Sequence, residues 1–303
     1  MKKILVPTDF SPNADKALDF AVQIARQAKA EIILLHVCYE LDDTSFKDKH
    51  TLYKEYNQKT IDEANENLSL LKKTIEDTEK FSVNIKLYKG TVTDTILHAS
   101  EEHHADLIIM GTLGDSDIEE KIFGSKTARI IGKTNVPVMA VPRLSEWNIP
   151  NKILLAVNNF EEEPDIINPV FELAGLFNAT VYIAIFTDVD SAQAIDYLKH
   201  KKSITAYVEK LKTRYKSTDV KLTYLYGHTF QESIEEYMNE LRIDIVAMVT
   251  NKQTFMECIF NRGMEKKMYY NTRIPLLAIP AKKVKSLYKK TIENESEYSN
   301  AWL

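Results

Sequence analysis

The sequence predicts an α/β protein made of two tandem copies of one doubly wound, parallel-sheet domain. Three observations carry that expectation. The chain repeats itself over a long period, each copy alternates short apolar runs with helix-patterned stretches, and the apolar runs are too continuous for strands with one wet face.

The repeat is visible residue by residue. Lys3-Ile4-Leu5-Val6 matches Lys152-Ile153-Leu154-Leu155, and the same ungapped offset pairs Ile32-Ile33-Leu34-Leu35 with Val181-Tyr182-Ile183-Ala184. Tyr88-Lys89-Gly90 matches Leu225-Tyr226-Gly227. A second ungapped register pairs Ala105-Asp106-Leu107-Ile108-Ile109-Met110 with Ile243-Asp244-Ile245-Val246-Ala247-Met248. It continues to Val136-Pro137-Val138 and Ile274-Pro275-Leu276.

In chain order, a strand at 3–7 leads to a helix over 13–29, where Ala14, Ala17, Leu18, Ala21, Ile24, Ala25 and Ala28 form one stripe behind the start signal Ser11-Pro12. A strand at 31–37 precedes a long polar helix over 50–79. Strands at 83–88, 106–110 and 137–141 complete the first copy. The second copy repeats the pattern with strands near 152–157, 180–186, 221–226, 244–249 and 275–279. Strands alternating with helices imply right-handed crossovers and an open sheet with helices on both faces. Pro142 and Pro150, with Trp147 between them, mark the seam. The expected domains are 1–143 and 150–281, followed by a Lys-rich polar tail at 282–303.

Composition excludes several classes. A net charge of −5 offers no basic footprint for a nucleic-acid backbone. No apolar run approaches the roughly 20 residues needed to span a bilayer, so no membrane partner is expected. The start enters a strand directly, without the pattern of a cleaved leader, and the two cysteines, Cys38 and Cys258, form no disulfide framework. A cytoplasmic protein is expected.

Chemistry concentrates in one loop. Of eight glycines in the chain, Gly111, Gly114 and Gly124 fall close together after the strand Leu107-Ile108-Ile109-Met110. Ser125 follows, then the helix-like Lys126-Thr127-Ala128-Arg129-Ile130-Ile131. Glycine admits a ligand without a Cβ in the way, and a helix amino terminus offers free N–H groups and about half a positive charge. Strand, glycine loop and helix start describe a phosphate cradle; ordinary turn glycines and a plain cap are the competing reading.

Gly111-x2-Gly114-x9-Gly124-Ser125 resembles the ATP-binding signature of the universal stress protein family. Val6-Pro7-Thr8-Asp9-Phe10-Ser11 resembles that family's first strand and loop, Leu34-Leu35-His36-Val37 its second strand, and Val136-Pro137-Val138 its last. The resemblance covers nearly all of 1–143 and, more weakly, 150–281. It implies an adenine nucleotide alpha hydrolase-like sheet of order 3-2-1-4-5, with the ligand at the switch point between strands one and four. By the same resemblance Asp9 and the backbone at Val37 would face adenosine, Pro7 and Thr8 would belong to the binding site, and Met110 and Gly111 would line the ribose. Gly114 would pass close to the phosphates, and Gly124 and Ser125 would hold the terminal ones. Lys126 could add charge. ATP is the expected ligand, with ADP or AMP as alternatives and Mg²⁺ accompanying the nucleotide. The two copies would pair as an intrachain pseudo-dimer through their last strands, and a homodimer of chains and an unidentified protein partner are expected.

The second copy departs from the signature. Gly111, Gly114, Gly124 and Ser125 become Val249, Lys252, Arg262 and Gly263; Asp9 becomes Asn158, and Pro7-Thr8 becomes Ala156-Val157. This copy is expected to be degenerate, a scaffold. Glu101-Glu102-His103-His104 invites a metal reading, but adjacent helical side chains diverge, so the two histidines are read as the end of an exposed helix. His36 reads as a satisfied core histidine. No positioned general base is legible, so the expected function is ATP-dependent regulation in a stress response with at most slow hydrolysis, not an enzyme. A nucleotide-independent dimerisation scaffold is the alternative.

Overall fold

The computed structural model describes residues 1–38, 50–112, 124–157, 165–188, 193–228, 230–250 and 273–281. The first half runs β1 (Lys3–Pro7), α1 (Pro12–Ala28), β2 (Glu31–Cys38), α2 (His50–Glu79), β3 (Val83–Lys89), α3 (Val92–Glu102), β4 (Leu107–Gly111), α4 (Ser125–Lys133) and β5 (Val138–Val141). The second runs β6 (Lys152–Val157), α5 (Asn168–Phe177), β7 (Thr180–Asp188), α6 (Gln193–Arg214), β8 (Val220–Gly227), α7 (Phe230–Leu241), β9 (Ile245–Thr250) and β10 (Leu276–Pro280).

Among the described residues, ten strands join one sheet in the order β3-β2-β1-β4-β5-β10-β9-β6-β7-β8. The first half therefore has the order 3-2-1-4-5, with β1 parallel to both β2 and β4. The repeat survives in the pairing. Ile4 lies opposite Leu107, and their counterparts Ile153 and Ile245 lie opposite each other. The two last strands meet antiparallel, with Met139 opposite Leu277 and Ala140 opposite Leu276. Met139 and Leu277 are equivalent positions of the repeat, so a pseudo-twofold axis passes between them, as in an isologous dimer.

Strand alternation explains the core. Ile4, Val6, Ile32, Leu34, Leu107 and Ile109 fall on one face, while Leu5, Ile33, Leu35, Ile108 and Met110 fall on the other. Both apolar clusters continue into the second half, through Ile153 and Leu155 on one face and Leu154 and Val246 on the other. Each fully buried Ile or Leu contributes about 1.5–3 kcal/mol of burial, so the halves share a substantial core.

α1 starts where local chemistry allows. The Ser11 hydroxyl accepts the Ala14 N–H at 3.3 Å and Pro12 occupies the first turn, while Lys29 ends the helix in a left-handed conformation. Strand entry is capped alike in both halves. One Asp106 oxygen accepts Lys2 N–H at 2.5 Å and Lys3 N–H at 3.0 Å, and one Asp244 oxygen accepts Asn151 N–H at 2.8 Å and Lys152 N–H at 2.9 Å.

The seam is held by rings. Trp147 stands edge-on to Phe20 of α1 at 5.0 Å and to Phe177 of α5 at 5.6 Å. The Ser145 hydroxyl, fully buried, donates to the Arg273 carbonyl at 2.7 Å. Gln27 donates to the Leu176 carbonyl at 2.8 Å. α1 thus touches the linker and the second half along its length.

Candidate functional site

At the β1/β4 switch point the chain leaves an open recess of about 640 Å³, lined among others by Pro7, Thr8, Asp9, His36, Val37, Met110, Gly111 and Lys126. Of the residues singled out from the sequence, Pro7, Thr8, Asp9, Val37, Met110, Gly111 and Lys126 come together here. Gly124 and Ser125 stand at the start of α4, next to Lys126. Gly114 lies outside the described residues, as do Asn158, Lys252, Arg262 and Gly263.

The first wall is the β1–α1 turn. Thr8 N–H extends the β1–β2 ladder by donating to the Leu35 carbonyl at 2.8 Å, and the Thr8 hydroxyl accepts Phe10 N–H at 3.0 Å. Asp9 Oδ1 accepts both the Ser11 N–H at 3.2 Å and the Ser11 hydroxyl at 2.5 Å. Asp9 is exposed, so its second oxygen faces outward from a carboxylate whose orientation is already fixed. Phe10 takes a φ of 59°, a conformation costly for a bulky residue, and stacks on the His36 ring at 4.5 Å. His36 Nδ1 lies 2.8 Å from the Thr8 carbonyl. A carbonyl only accepts, so Nδ1 carries the proton and the ring clamps the turn from below. Asp15, one turn into α1, has its carboxyl pushed above the usual range by burial, then by Asp19 and Asp9.

The second wall is β4 and α4. An ideal Cβ on Gly111 would sit 2.9 Å from the Asn13 carbonyl oxygen and 3.1 Å from its carbon. The sequence reading gave this glycine to the ligand; the immediate demand comes from α1, whose first turn crosses against it. Thr127 donates its hydroxyl to the Gly111 carbonyl at 2.9 Å, tying helix to strand. Gly124 N–H donates to the Thr112 carbonyl at 2.5 Å, so that amide is engaged within the loop. α4 has no side-chain cap and no acidic residue in its first turn. The amides of Ser125, Lys126 and Thr127 lack acceptors within the helix, and Lys126 adds a full charge beside them. The arrangement suits an anion.

Several lining residues had no signal in the sequence. His36 was read as core and Thr127 was passed over as a helix residue, while Val92 and Ile96 reach the recess only because α3 packs there. Elsewhere, His103 and His104 end α3 as the sequence reading has it, with His104 exposed and His103 partly buried. It caps α3 with its ring 3.0 Å from the Tyr88 hydroxyl, which also donates to Glu102 at 2.6 Å. Burial and that hydrogen bond push the Tyr88 phenol up to about 12. Cys38 is buried. Among the described residues no helix is long and apolar enough to cross a membrane.

Comparison with known proteins covers the same half. Residues 1–142 match the family model described as the Universal stress protein family. A universal stress protein of Methanocaldococcus jannaschii is 32% identical over 158 residues, covering 47% of this chain and 95% of that protein. The universal stress protein YxiE of Bacillus subtilis is 30% identical over 146 residues, covering 46% of this chain and 97% of its own. A solved universal stress protein from Archaeoglobus fulgidus covers 92% of this chain and 98% of its own, with a TM-score of 0.66 and 17% identity. At that identity the likeness speaks to fold, and it spans both halves.

Proposed function

We infer the function from one premise: the chain belongs to the universal stress protein family. On that premise residues 1–143 form a nucleotide-binding domain, 150–281 a degenerate partner domain that serves as scaffold, and 282–303 a polar tail. The ligand is an adenine nucleotide, ATP first and ADP or AMP as lesser ligands, with Mg²⁺ accompanying the phosphates. Asp9 and Val37 face adenosine, Met110 and Gly111 the ribose, and the loop from Gly114 to Ser125 the phosphates. Occupancy biases conformation or assembly in a cytoplasmic stress response, since a ligand shifts states only by its differential affinity for them.

The observation that supports this reading most is that Lys126, beside the uncapped α4 amino terminus, lines the same recess as Asp9 on its braced turn. A lysine beside a free helix amino terminus and a carboxylate on one cleft match a ligand that carries both phosphates and a hydrogen-bonding base. Hydrolysis is at most slow, because Asp9 faces adenosine in this reading and is poorly placed to take a proton from a water at the phosphates.

Titration calorimetry of the full chain with ATP, ADP and AMP tests the proposal, alongside Gly124→Asp. Gly124 has φ −63° and ψ 154°, so aspartate fits the backbone and caps α4 while setting a negative charge where phosphate would rest. ATP affinity should fall by about 30-fold, roughly 2 kcal/mol. Heat-free titration of the parent chain, or equal affinities for parent and variant, would end the assignment.

A further inference from the structure

A second cavity lies at the seam between the two halves. It is the larger of the two, about 1230 Å³ of open space against about 640 Å³, and it is walled by α1, the 142–150 linker and the entries to β9 and β10. Three cationic side chains line it, Lys16 from α1, Arg143 from the linker and Arg273 ahead of β10. Lys16 is half-buried and the two arginines are exposed. Two acids also line it. Asp244 is engaged, accepting Asn151 and Lys152 N–H at 2.8 and 2.9 Å, whereas Glu146 sits exposed on the rim. The lining thus carries three cations against two acids in a chain of net charge −5. The frame beneath it is rigid, since the Trp147 ring is pinned between Phe20 and Phe177 and the buried Ser145 hydroxyl fixes the Arg273 backbone.

We propose that this seam cleft is a second ligand site, which takes a compact polyanion of phosphate or carboxylate type on Lys16, Arg143 and Arg273. Arginine forks bind either oxyanion in two-point fashion, and the lysine adds a point charge from α1. Neither half has the site alone, because Lys16 and Arg143 come from one and Arg273 from the other. The proposal is independent of nucleotide binding at the switch point.

Trp147 reports on it directly. The chain has two tryptophans, so Trp302→Phe leaves Trp147 as the sole emitter. In that background, inorganic pyrophosphate and citrate are titrated separately, which distinguishes phosphate from carboxylate preference. Gly124→Asp is carried in parallel to remove any contribution from the first recess. A saturable fluorescence change below roughly 10 mM is expected with at least one probe, and it should persist in Gly124→Asp. It should weaken about tenfold or more in Arg143→Gln/Arg273→Gln, whose exposed positions leave the core untouched. Glu146→Gln should tighten binding about threefold by removing the rim's opposing charge. Absence of saturation with both probes overturns the proposal. So does a response that Gly124→Asp abolishes, or one that the double arginine variant retains while Glu146→Gln leaves it unmoved.

Discussion

The two halves share a register but not a switch point. In the first, β4 ends at Gly111, where the Asn13 carbonyl lies within 2.9 Å of any added Cβ. In the second, the same position on β9 is Val249, partly buried against the core. Everything needed for the sheet is kept in both, down to the carboxylates of Asp106 and Asp244 that catch two strand-entry amides each. What differs is the place where a helix must approach a strand end closely. Core positions are held by mutual burial wherever the fold is kept, while a glycine is held only where something presses against it.

The comparison breaks first at Gly111. Gly111→Val copies the second half into the first and forces side-chain carbons against α1 backbone that has no room to yield. A loss of about 3 kcal/mol is expected in urea unfolding, against under about 1 kcal/mol for Val249→Ala. Equal losses would mean that α1 yields freely. Gly124→Asp comes next. Its roughly 2 kcal/mol cost falls on ATP affinity alone, with thermal stability unchanged or higher from the added cap. A drop in melting temperature would show that glycine there serves the fold.

Asp106→Ala and Asp244→Ala sharpen the comparison where the halves agree. Each leaves two strand-entry amides without their acceptor, at a cost of about 1–2 kcal/mol, and the two should agree within about 0.5 kcal/mol. A large asymmetry would show that one half carries the stability of the other. The smallest effect is at Tyr88, beside His103 and Glu102 on the first half only. Its folded pKa of about 12 exceeds the ordinary value of 10.0. The stabilisation is therefore complete below pH 10 and lost as pH rises toward 12. Tyr88→Phe should flatten the decline in melting temperature across that window, and at pH 7 it should lower the melting temperature slightly through loss of the hydrogen bond to Glu102.

Much of the fold was legible because short continuous apolar runs and capping residues are local signals. β5 begins at Val138, not at Pro137, since proline lacks the amide the ladder needs. α1 begins at Pro12, one residue earlier than its apolar stripe suggests, because proline suits a first helical turn. Seven of the lining residues of the recess were legible through motif and position. His36, Thr127, Val92 and Ile96 were not, because each enters the cleft by tertiary packing that leaves no pattern along the chain. Gly111 was found for an incomplete reason: spacing shows that a glycine is special, whereas only coordinates show which neighbour requires it. His103 ends α3 as expected, but its contact with Tyr88 on β3 leaves no pattern along the chain.

The antiparallel meeting of Val138–Val141 with Leu276–Pro280 has a practical corollary for anyone dividing the molecule. Cutting within the linker would bare a row of greasy residues and unsatisfied main-chain groups on each piece, at the spot where a like piece could dock. Either fragment should therefore behave in solution as a sticky twin-former rather than a solitary body, because covalent linkage is all that keeps the two rims facing each other and no one else.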